Sequence, residues 1–337
     1  MATPTTAITR YDLSLSYTEF NAAMNRRRFI AHKVMPAVEV GNQSAEFSVL
    51  PTEATLPPAE TLTRGPRGAY KRDDFEWGTD SYQTAEHGAE EILDDRTNNI
   101  YANEMRAEQV KRDRLIQRIG QEYEIALADT LFNTTTWNGS SLTTDVETAW
   151  DVKDSADPIA DIDAARDKVL DACGYPANAV VLNEKVMRNI IRTDRVESLI
   201  KYSGHSDPAR LAYALAMLAD LLQVDHIIVA HSAMKNTSDR GDTTPTLSQI
   251  WSDEMVSVCR IATDNVLESM EPAVGRTIVW TGDGATMPGT DENIGITIEE
   301  YREEGVRGGV LRGRTEYQIK TLQVNAAHLI TGVKTSE

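Results

Sequence analysis

The sequence is poor in cysteine and has no long apolar runs. Its 337 residues include two cysteines, Cys173 and Cys259, which are far apart and have no C-x-x-C neighbour. Neither a disulfide framework nor a thiolate zinc site is therefore indicated, and a reducing cytoplasm suits the chain. No apolar run reaches the roughly 18 residues of a membrane span, and the N-terminal segment lacks the apolar centre of a signal peptide. These absences predict a soluble protein that stays in the cell that makes it and has no membrane partner.

Positive charge is also scarce. The chain has 34 Lys and Arg against 52 Asp and Glu, which gives a net charge of -18. Phosphate binding needs clustered cations, so this balance argues against a surface that binds nucleic acid broadly. The positive charge that exists is local and forms two clusters, one at Arg26–Arg28 and one between Arg64 and Arg72.

The motifs of common catalytic sites are missing. The chain has no G-x-S-x-G elbow, no G-x-x-x-x-G-K-[ST] phosphate loop, no G-x-G-x-x-G after a strand and no H-E-x-x-H. His226 and His231 flank an apolar run and are compatible with a metal pair, but hydrogen-bonded histidines at strand ends are the commoner arrangement. Asp161 is expected to cap a helix. We therefore predict no catalytic residue, no metal ion and no cofactor.

The N-terminal part is expected to be largely extended. Residues 1–28 are polar and show no sustained period, which indicates an arm that needs a surface to lie on. The run FIAHKVMPAVEV, residues 29–40, changes to an extended conformation before its first proline, because a residue before proline is driven out of the helical region. Residues 46–50 and 70–82 carry strand-forming side chains, so they predict a long hairpin with an irregular tip.

The rest of the chain changes from one long helix to alternating helices and strands. From Asp94 to Phe132 apolar residues recur three or four apart, which predicts a spine helix of about 35 residues and roughly 50 Å. A helix that ends at Gly174, a buried strand at 179–182 and a helix capped by Asn183 follow. Such helix-to-strand units indicate an α/β domain, and the C-terminal part reads as long alternating strands.

The stretch PTEATLPPAETLTRGPRGAYKR, residues 51–72, cannot form a core of its own. It has four prolines, two glycines and almost no apolar bulk. Ordering its backbone costs on the order of 20 to 40 kcal/mol. At about 25 cal/mol per Å², several hundred Å² of apolar burial would be needed to offset even the lower figure. We therefore predict that another copy of this acidic chain covers the stretch, since its basic end can dock on an acidic face.

Five segments resemble those of the major capsid proteins of tailed bacteriophages. They are FIAHKVMPAVEV, RGPRGAYKRDDFEWGTDSYQTAEHGAEEILDDR, AWDVKDSADPIADIDAARDKVLDACGYPANAVVLNEKVMRNII, LADLLQVDHIIVAHSAMKN and RGRTEYQIKTLQVNAAHLI. Each segment alone is moderately specific, but their order along nearly the whole chain is more so.

The resemblance implies an α+β fold with four parts. These are an N-terminal arm (1–44), an extended β-hairpin loop (45–90), a peripheral domain with the spine helix and a β-sheet (91–157 and 295–337), and an axial α/β domain (158–294).

The resemblance also implies a structural protein and not an enzyme. Such a protein self-assembles into pentamers and hexamers of an icosahedral shell that encloses double-stranded DNA without sequence-specific binding. The implied location is the virion capsid, after assembly in the host cytoplasm. About 28 residues precede Phe29, which favours a separate scaffolding protein over a fused one. A portal is a further expected partner, and a decoration protein is left open.

Two alternatives remain at this point: a bacterial nanocompartment shell protein, and an acidic α/β hydrolase-type enzyme. Under the leading interpretation the site residues are subunit contacts. They are Arg26, Arg27, Arg28 and Phe29 on the arm, and Arg64, Arg67, Lys71 and Arg72 on the loop.

Overall fold

The structure is a computed structural model. It describes residues 8–9, 29–49, 56, 59–72, 76–96, 107–202, 211–231, 234–237, 244, 246–264, 266–267, 271–282, 295–305 and 307–335. Its helices are α1 (Ala31–Val34), α2 (Ala107–Leu131), α3 (Pro158–Cys173), α4 (Glu184–Arg192), α5 (Asp194–Tyr202) and α6 (Leu211–Leu222). Its strands are β1 (Ile8–Thr9), β2 (Ala37–Val40), β3 (Ser44–Val49), β4 (Gly78–Gln83), β5 (Ala85–Asp94), β6 (Thr143–Asp145), β7 (Ala179–Asn183), β8 (His226–Ala230), β9 (Met234–Asn236), β10 (Leu247–Gln249), β11 (Met255–Cys259), β12 (Gly275–Trp280), β13 (Thr297–Glu303), β14 (Gly308–Thr321) and β15 (Ala327–Thr331).

A six-stranded sheet is built around β14. Its order is β1-β13-β14-β12-β2, and β5 pairs with β14 beside this path. The ladders are antiparallel except for the parallel pair of β12 and β2. Gly313 of β14 faces α2 so closely that a Cβ there would lie 2.9 Å from Ile119 Cδ1. The missing side chain at this position therefore lets the helix pack directly on the sheet.

A five-stranded sheet forms the second layer, in the order β6-β15-β11-β7-β8. The predicted buried strand at 179–182 is confirmed as β7, which is buried along its whole length. Alternate side chains of a strand point to opposite faces. Ala179 and Val181 accordingly join the core around α2, while Val180 and Leu182 join a second core under α3, α4 and α6. This sheet is thus covered on both faces.

Helix α2 lies within the predicted spine helix and is its main described part. Helix α2 has 25 residues, or about 38 Å, and its stripe from Leu115 to Leu131 is buried. Asp94 itself ends strand β5 and pairs with Gly308 of β14, and the next two residues, Asp95 and Arg96, are helical. Residues 97–106 lie outside the described part of the chain. In the described ranges no helix combines the length and apolar character that a membrane crossing requires.

Two helix ends lie where the sequence predicts them. Asn183 caps α4, since its side-chain oxygen accepts the backbone N–H of Lys185 at 2.9 Å. Gly174 ends α3 with φ of 78°, in the left-handed region that glycine enters without steric cost. Both predictions are confirmed.

The predicted cap at Asp161 is wrong. Helix α3 begins earlier, at Pro158, because proline suits the first helical turn, and Asp157 accepts the N–H of Ala160 at 3.3 Å. Asp161 instead accepts the indole N–H of the buried Trp150 at 2.8 Å. Burial is the main reason that the pKa of Asp161 lies above its ordinary value.

Candidate assembly surfaces

The predicted hairpin is present as β3 and β4. The two strands pair antiparallel from Ser44 opposite Gln83 to Val49 opposite Gly78. Phe47 and Tyr82, whose ring centroids are 6.3 Å apart, pack with the buried Ile278 of β12. This small apolar cluster fixes the base of the hairpin on the six-stranded sheet.

Polar contacts hold the same base. Lys320 Nζ of β14 donates to Asp80 Oδ1 at 2.7 Å and to the Ser81 carbonyl at 3.0 Å. The hydrogen bond from Lys320 is the main reason that the pKa of Asp80 lies below its usual value. Thr84 Oγ1 donates to the buried Glu316 at 3.0 Å. The hairpin therefore leaves the body of the protein in a defined direction.

A tight turn shapes the loop between these strands. The Gly68 N–H donates to the Gly65 carbonyl at 3.0 Å, and Arg67 has φ of 67°. Proline at the second position and a positive φ at the third are the marks of a type II turn. Arginine is an uncommon choice for that third position, because its Cβ crowds the backbone there.

The predicted basic residues of the loop are all exposed. The guanidinium of Arg64 lies 4.5 Å from the centre of the Tyr70 ring, and Lys71 Nζ lies 3.1 Å from Glu60 Oε2. Two basic residues form no hydrogen bond or ion pair with any residue that the structure describes: Arg67 and Arg72. Arg67 and Arg72 therefore offer positive charge that no described residue neutralises.

Of the four predicted arm residues, the structure describes Phe29. Arg26, Arg27 and Arg28 lie outside the described residues. Phe29 is half-buried against α2, since a Cβ at Gly120 would lie 3.4 Å from its ring. Phe29 therefore contributes to packing within its own chain.

Glu124 of α2 holds the segment that follows Phe29, in a set of contacts that we call the clamp at Glu124. Its buried carboxylate accepts the N–H of Ile30 at 2.9 Å, the N–H of Ala31 at 2.9 Å and the indole N–H of Trp251 at 2.6 Å. Two of these amides begin the short helix α1, where backbone N–H groups lack partners within the helix. Burial is the main reason that the pKa of Glu124 rises to about 7. A single acid beside a helical apolar stripe is usually solvated, so no pattern in the sequence pointed to this contact.

A cleft of about 760 Å³ lies between α1, α6 and β8. His32, His226 and His231 line it, and burial, with Lys33 beside it, lowers the pKa of His32 to about 4. A base with so low a pKa is poorly matched to proton transfer near neutral pH. His231 Nδ1 lies 3.5 Å from Glu184 Oε2. Among the described residues no group of three or more His, Cys, Asp or Glu is placed to hold a metal ion.

Comparisons with known proteins connect this architecture to phages. No family model and no curated protein matches the chain. The structure of a phage-related protein from Bordetella bronchiseptica RB50 aligns with a TM-score of 0.69 and 15% identity, over 97% of this chain and 98% of that chain. A structure from Mycobacterium phage Bobi aligns with a TM-score of 0.54 and 12% identity, over 90% of both chains. The capsid structure of cyanophage P-SCSP1u aligns with a TM-score of 0.52 and 9% identity, over 90% of this chain and 88% of that one.

The chain has the fold of the tailed-phage major capsid proteins. The predicted α+β capsid fold, with its hairpin loop, spine helix and sheets, is confirmed. Of the predicted contact residues, the structure describes Phe29 and the four on the loop, and those four are exposed. In this capsid fold the base of the hairpin packs on the six-stranded sheet at Ile278, and the contacts of Glu124 hold residues 30 and 31 against α2.

Proposed function

We propose that the chain is a major capsid protein that self-assembles into pentamers and hexamers of an icosahedral shell enclosing double-stranded DNA. The observation that carries this proposal is the alignment over nearly the whole chain with a phage-related protein, at a TM-score of 0.69. The alignment with the cyanophage capsid supports it. Under this proposal the protein is not an enzyme and needs no cofactor.

The remaining parts of the proposal concern partners, location and domains. We propose a separate scaffolding protein and a portal as partners, room for a decoration protein, no sequence-specific contact with DNA, and assembly in the host cytoplasm into the virion capsid. We also propose the division into arm (1–44), loop (45–90), peripheral domain (91–157 and 295–337) and axial domain (158–294). Several strands cross this division. The six-stranded sheet includes β1 and β2 of the arm, β5, which begins in the loop, and β12 of the axial range, and the five-stranded sheet includes β6 and β15 of the peripheral range.

The exposed loop is the part of the chain that most needs a partner. Its described residues from 59 to 72 are all exposed, and Leu62 and Tyr70 keep 78% and 73% of their surface accessible. Burying such side chains on a second copy would contribute about 1.5 to 3 kcal/mol each. The basic residues would then face the acidic surface of a neighbouring subunit.

Electron microscopy of the expressed protein tests the proposal. We expect closed shells, with or without a co-expressed scaffolding protein. Only small discrete particles under all conditions would contradict shell formation. DNA protected from nuclease inside particles recovered from phage-producing cells would separate a capsid from a nanocompartment shell.

A loop variant tests the predicted contact residues. Changing Arg64, Arg67, Lys71 and Arg72 to Ala should leave the subunit folded but lower the particle yield, because the basic face is lost. The matched control carries Arg64→Lys, Arg67→Lys and Arg72→Lys, which preserve the charge. An unaltered yield of the alanine variant at moderate salt would show that these residues are not assembly contacts.

A further inference from the structure

Helix α4 presents a row of positive charge in a chain whose net charge is -18. Lys185, Arg188 and Arg192 lie three and four residues apart, so they share one exposed face of the helix. The opposite face is apolar and buried, and consists of Val186, Met187 and Ile190. Arg195, at the start of α5, continues the exposed charge.

Most of this row forms no ion pair with any residue that the structure describes. Lys185 Nζ lies 3.1 Å from Asp253 Oδ2. The nearby acids Asp194 and Glu197 both pair with Lys153, at 3.2 Å. Three arginines have no ion pair with any described residue: Arg188, Arg192 and Arg195. Like charges placed side by side repel, so this row gives the isolated subunit no stability.

Helix α3 carries the complementary row. Asp163, Asp167 and Asp171 recur every four residues on its outer face, and Leu170 beside them is 42% exposed. Asp163 lies 3.5 Å from Arg166, whereas Asp167 and Asp171 have no ion pair in the described part of the chain. The acidic row spans about 12 Å and the basic row about 10 Å, so their lengths match.

The two rows lie on different flanks of one layer. Helix α3 packs on β15 and β11, and α4 packs on β7 and β8. These strands occupy opposite halves of the five-stranded sheet, whose order is β6-β15-β11-β7-β8. When complementary patches lie on different flanks of a subunit, the contact between copies is head-to-tail and closes into a ring if the rotation allows it.

We propose that the basic row of α4, continued by Arg195, docks on the acidic row of α3 in a second copy of this chain. The contact would repeat head-to-tail around a ring of subunits, and Leu170 would be covered at its centre. The rings would be the pentamers and hexamers of the proposed function, so this inference rests on it. The alternative occupant of a basic row is the phosphate backbone of nucleic acid, and the test separates the two.

Charge reversal on each row, and on both, is the deciding experiment. One variant carries Arg188→Glu and Arg192→Glu, a second carries Asp167→Arg and Asp171→Arg, and a third carries all four changes. Each of the first two should raise the protein concentration needed for assembly by about tenfold or more, because like charges then meet. The third should restore assembly, since the reversed rows are again complementary. Sedimentation velocity and native mass spectrometry would measure rings and shells.

The control reverses charge elsewhere. Arg114→Glu with Arg118→Glu alters two exposed arginines on α2 by the same amount and should leave assembly less affected than the α4 variant. If the wild type assembles and the α4 and α3 variants assemble as well as the wild type does, the docking is refuted while the proposed function stands. A wild type that stays monomeric under all conditions, with scaffold included, refutes both. Normal assembly of the α4 variant with weakened DNA retention would assign the row to phosphate and overturn the proposal.

Salt provides a measurement without any substitution. Raising the ionic strength from about 0.15 M to about 1 M shortens the screening length from about 8 Å to about 3 Å. Assembly of the wild type should weaken under this change, and the variant with all four changes should show the same dependence. Assembly that is insensitive to salt in the wild type would contradict a contact made by these rows.

Discussion

Replacing Glu124 by glutamine tests whether burial or hydrogen bonding determines the pKa of this buried carboxylate. Its side chain accepts N–H groups from Ile30, Ala31 and Trp251. Hydrogen bonds from N–H groups favour the charged form, whereas burial favours the neutral form. Burial is the larger effect here, and the pKa of Glu124 rises from 4.5 to about 7.

The direction of the pH dependence follows from this change. Between about pH 4.5 and about pH 7 the folded chain binds more protons at Glu124 than the unfolded chain does, so the contribution of this group to stability falls as the pH rises. The difference between the two pKa values corresponds to about 3 kcal/mol. Below this window the group is protonated in both states, and above it the full cost of the buried charge remains. Glutamine does not titrate and shows none of this dependence.

Urea unfolding of the unassembled subunit measures the effect. The free energy of unfolding of the wild type, relative to Glu124→Gln, should fall by about 3 kcal/mol between about pH 4 and about pH 8. Taking the difference between the two proteins cancels the other titrating groups. The matched control is Asp129→Asn, at an exposed position of the same helix. A difference that stays constant across this range would refute the raised pKa, and one of opposite sign would mean that hydrogen bonding outweighs burial.

Three further substitutions have expected outcomes. Gly313→Ala places a methyl group 2.9 Å from the nearest side-chain atom of α2, and thermal unfolding should show a loss of about 1 to 3 kcal/mol. Trp150→Phe removes the N–H that Asp161 accepts at 2.8 Å, and denaturant unfolding should show a loss of about 1 to 2 kcal/mol, with no loss if the bond contributes nothing. Lys320→Met removes the donor to Asp80, so hydrogen exchange should become faster in the hairpin strands while the rest of the chain keeps its protection.

Local signals in the sequence were sufficient where burial and capping decide the structure. The apolar run that became β7 is buried on both faces, and a continuous apolar run is what such a strand requires. The cap at Asn183 and the glycine at Gly174 depend on neighbouring backbone alone. Strand β5 was missed because its acids and glycine resemble a helix start or a loop. Its strand conformation comes from pairing with β14, which lies far away in sequence.

The candidate site was predictable only where it depends on residues that are close together in the sequence. The loop cluster is contiguous in sequence, so its charge could be identified without the fold. The clamp at Glu124 joins residues 94 and 127 positions apart, and only the packing of α2 against α1 and Trp251 creates it. The complementary rows on α3 and α4 require both the helical period and the order of strands in the sheet. Such contacts depend on topology, which local patterns do not contain.

The pairing of cations differs between parts of the described surface. Acids outnumber bases by 52 to 34, so a cation on this surface has many potential partners within its own chain. Arg302 and Lys320 have found such partners, at 2.8 Å and 2.7 Å. Among the described residues, cations without an ion pair form groups on the loop and on the flank formed by α4 and α5, for example Arg67 and Arg188, while others such as Lys33 stand singly. In an acid-rich chain, clustered cations that avoid internal pairing are best explained by acids supplied from outside the subunit, and a second copy of the same chain supplies them in excess.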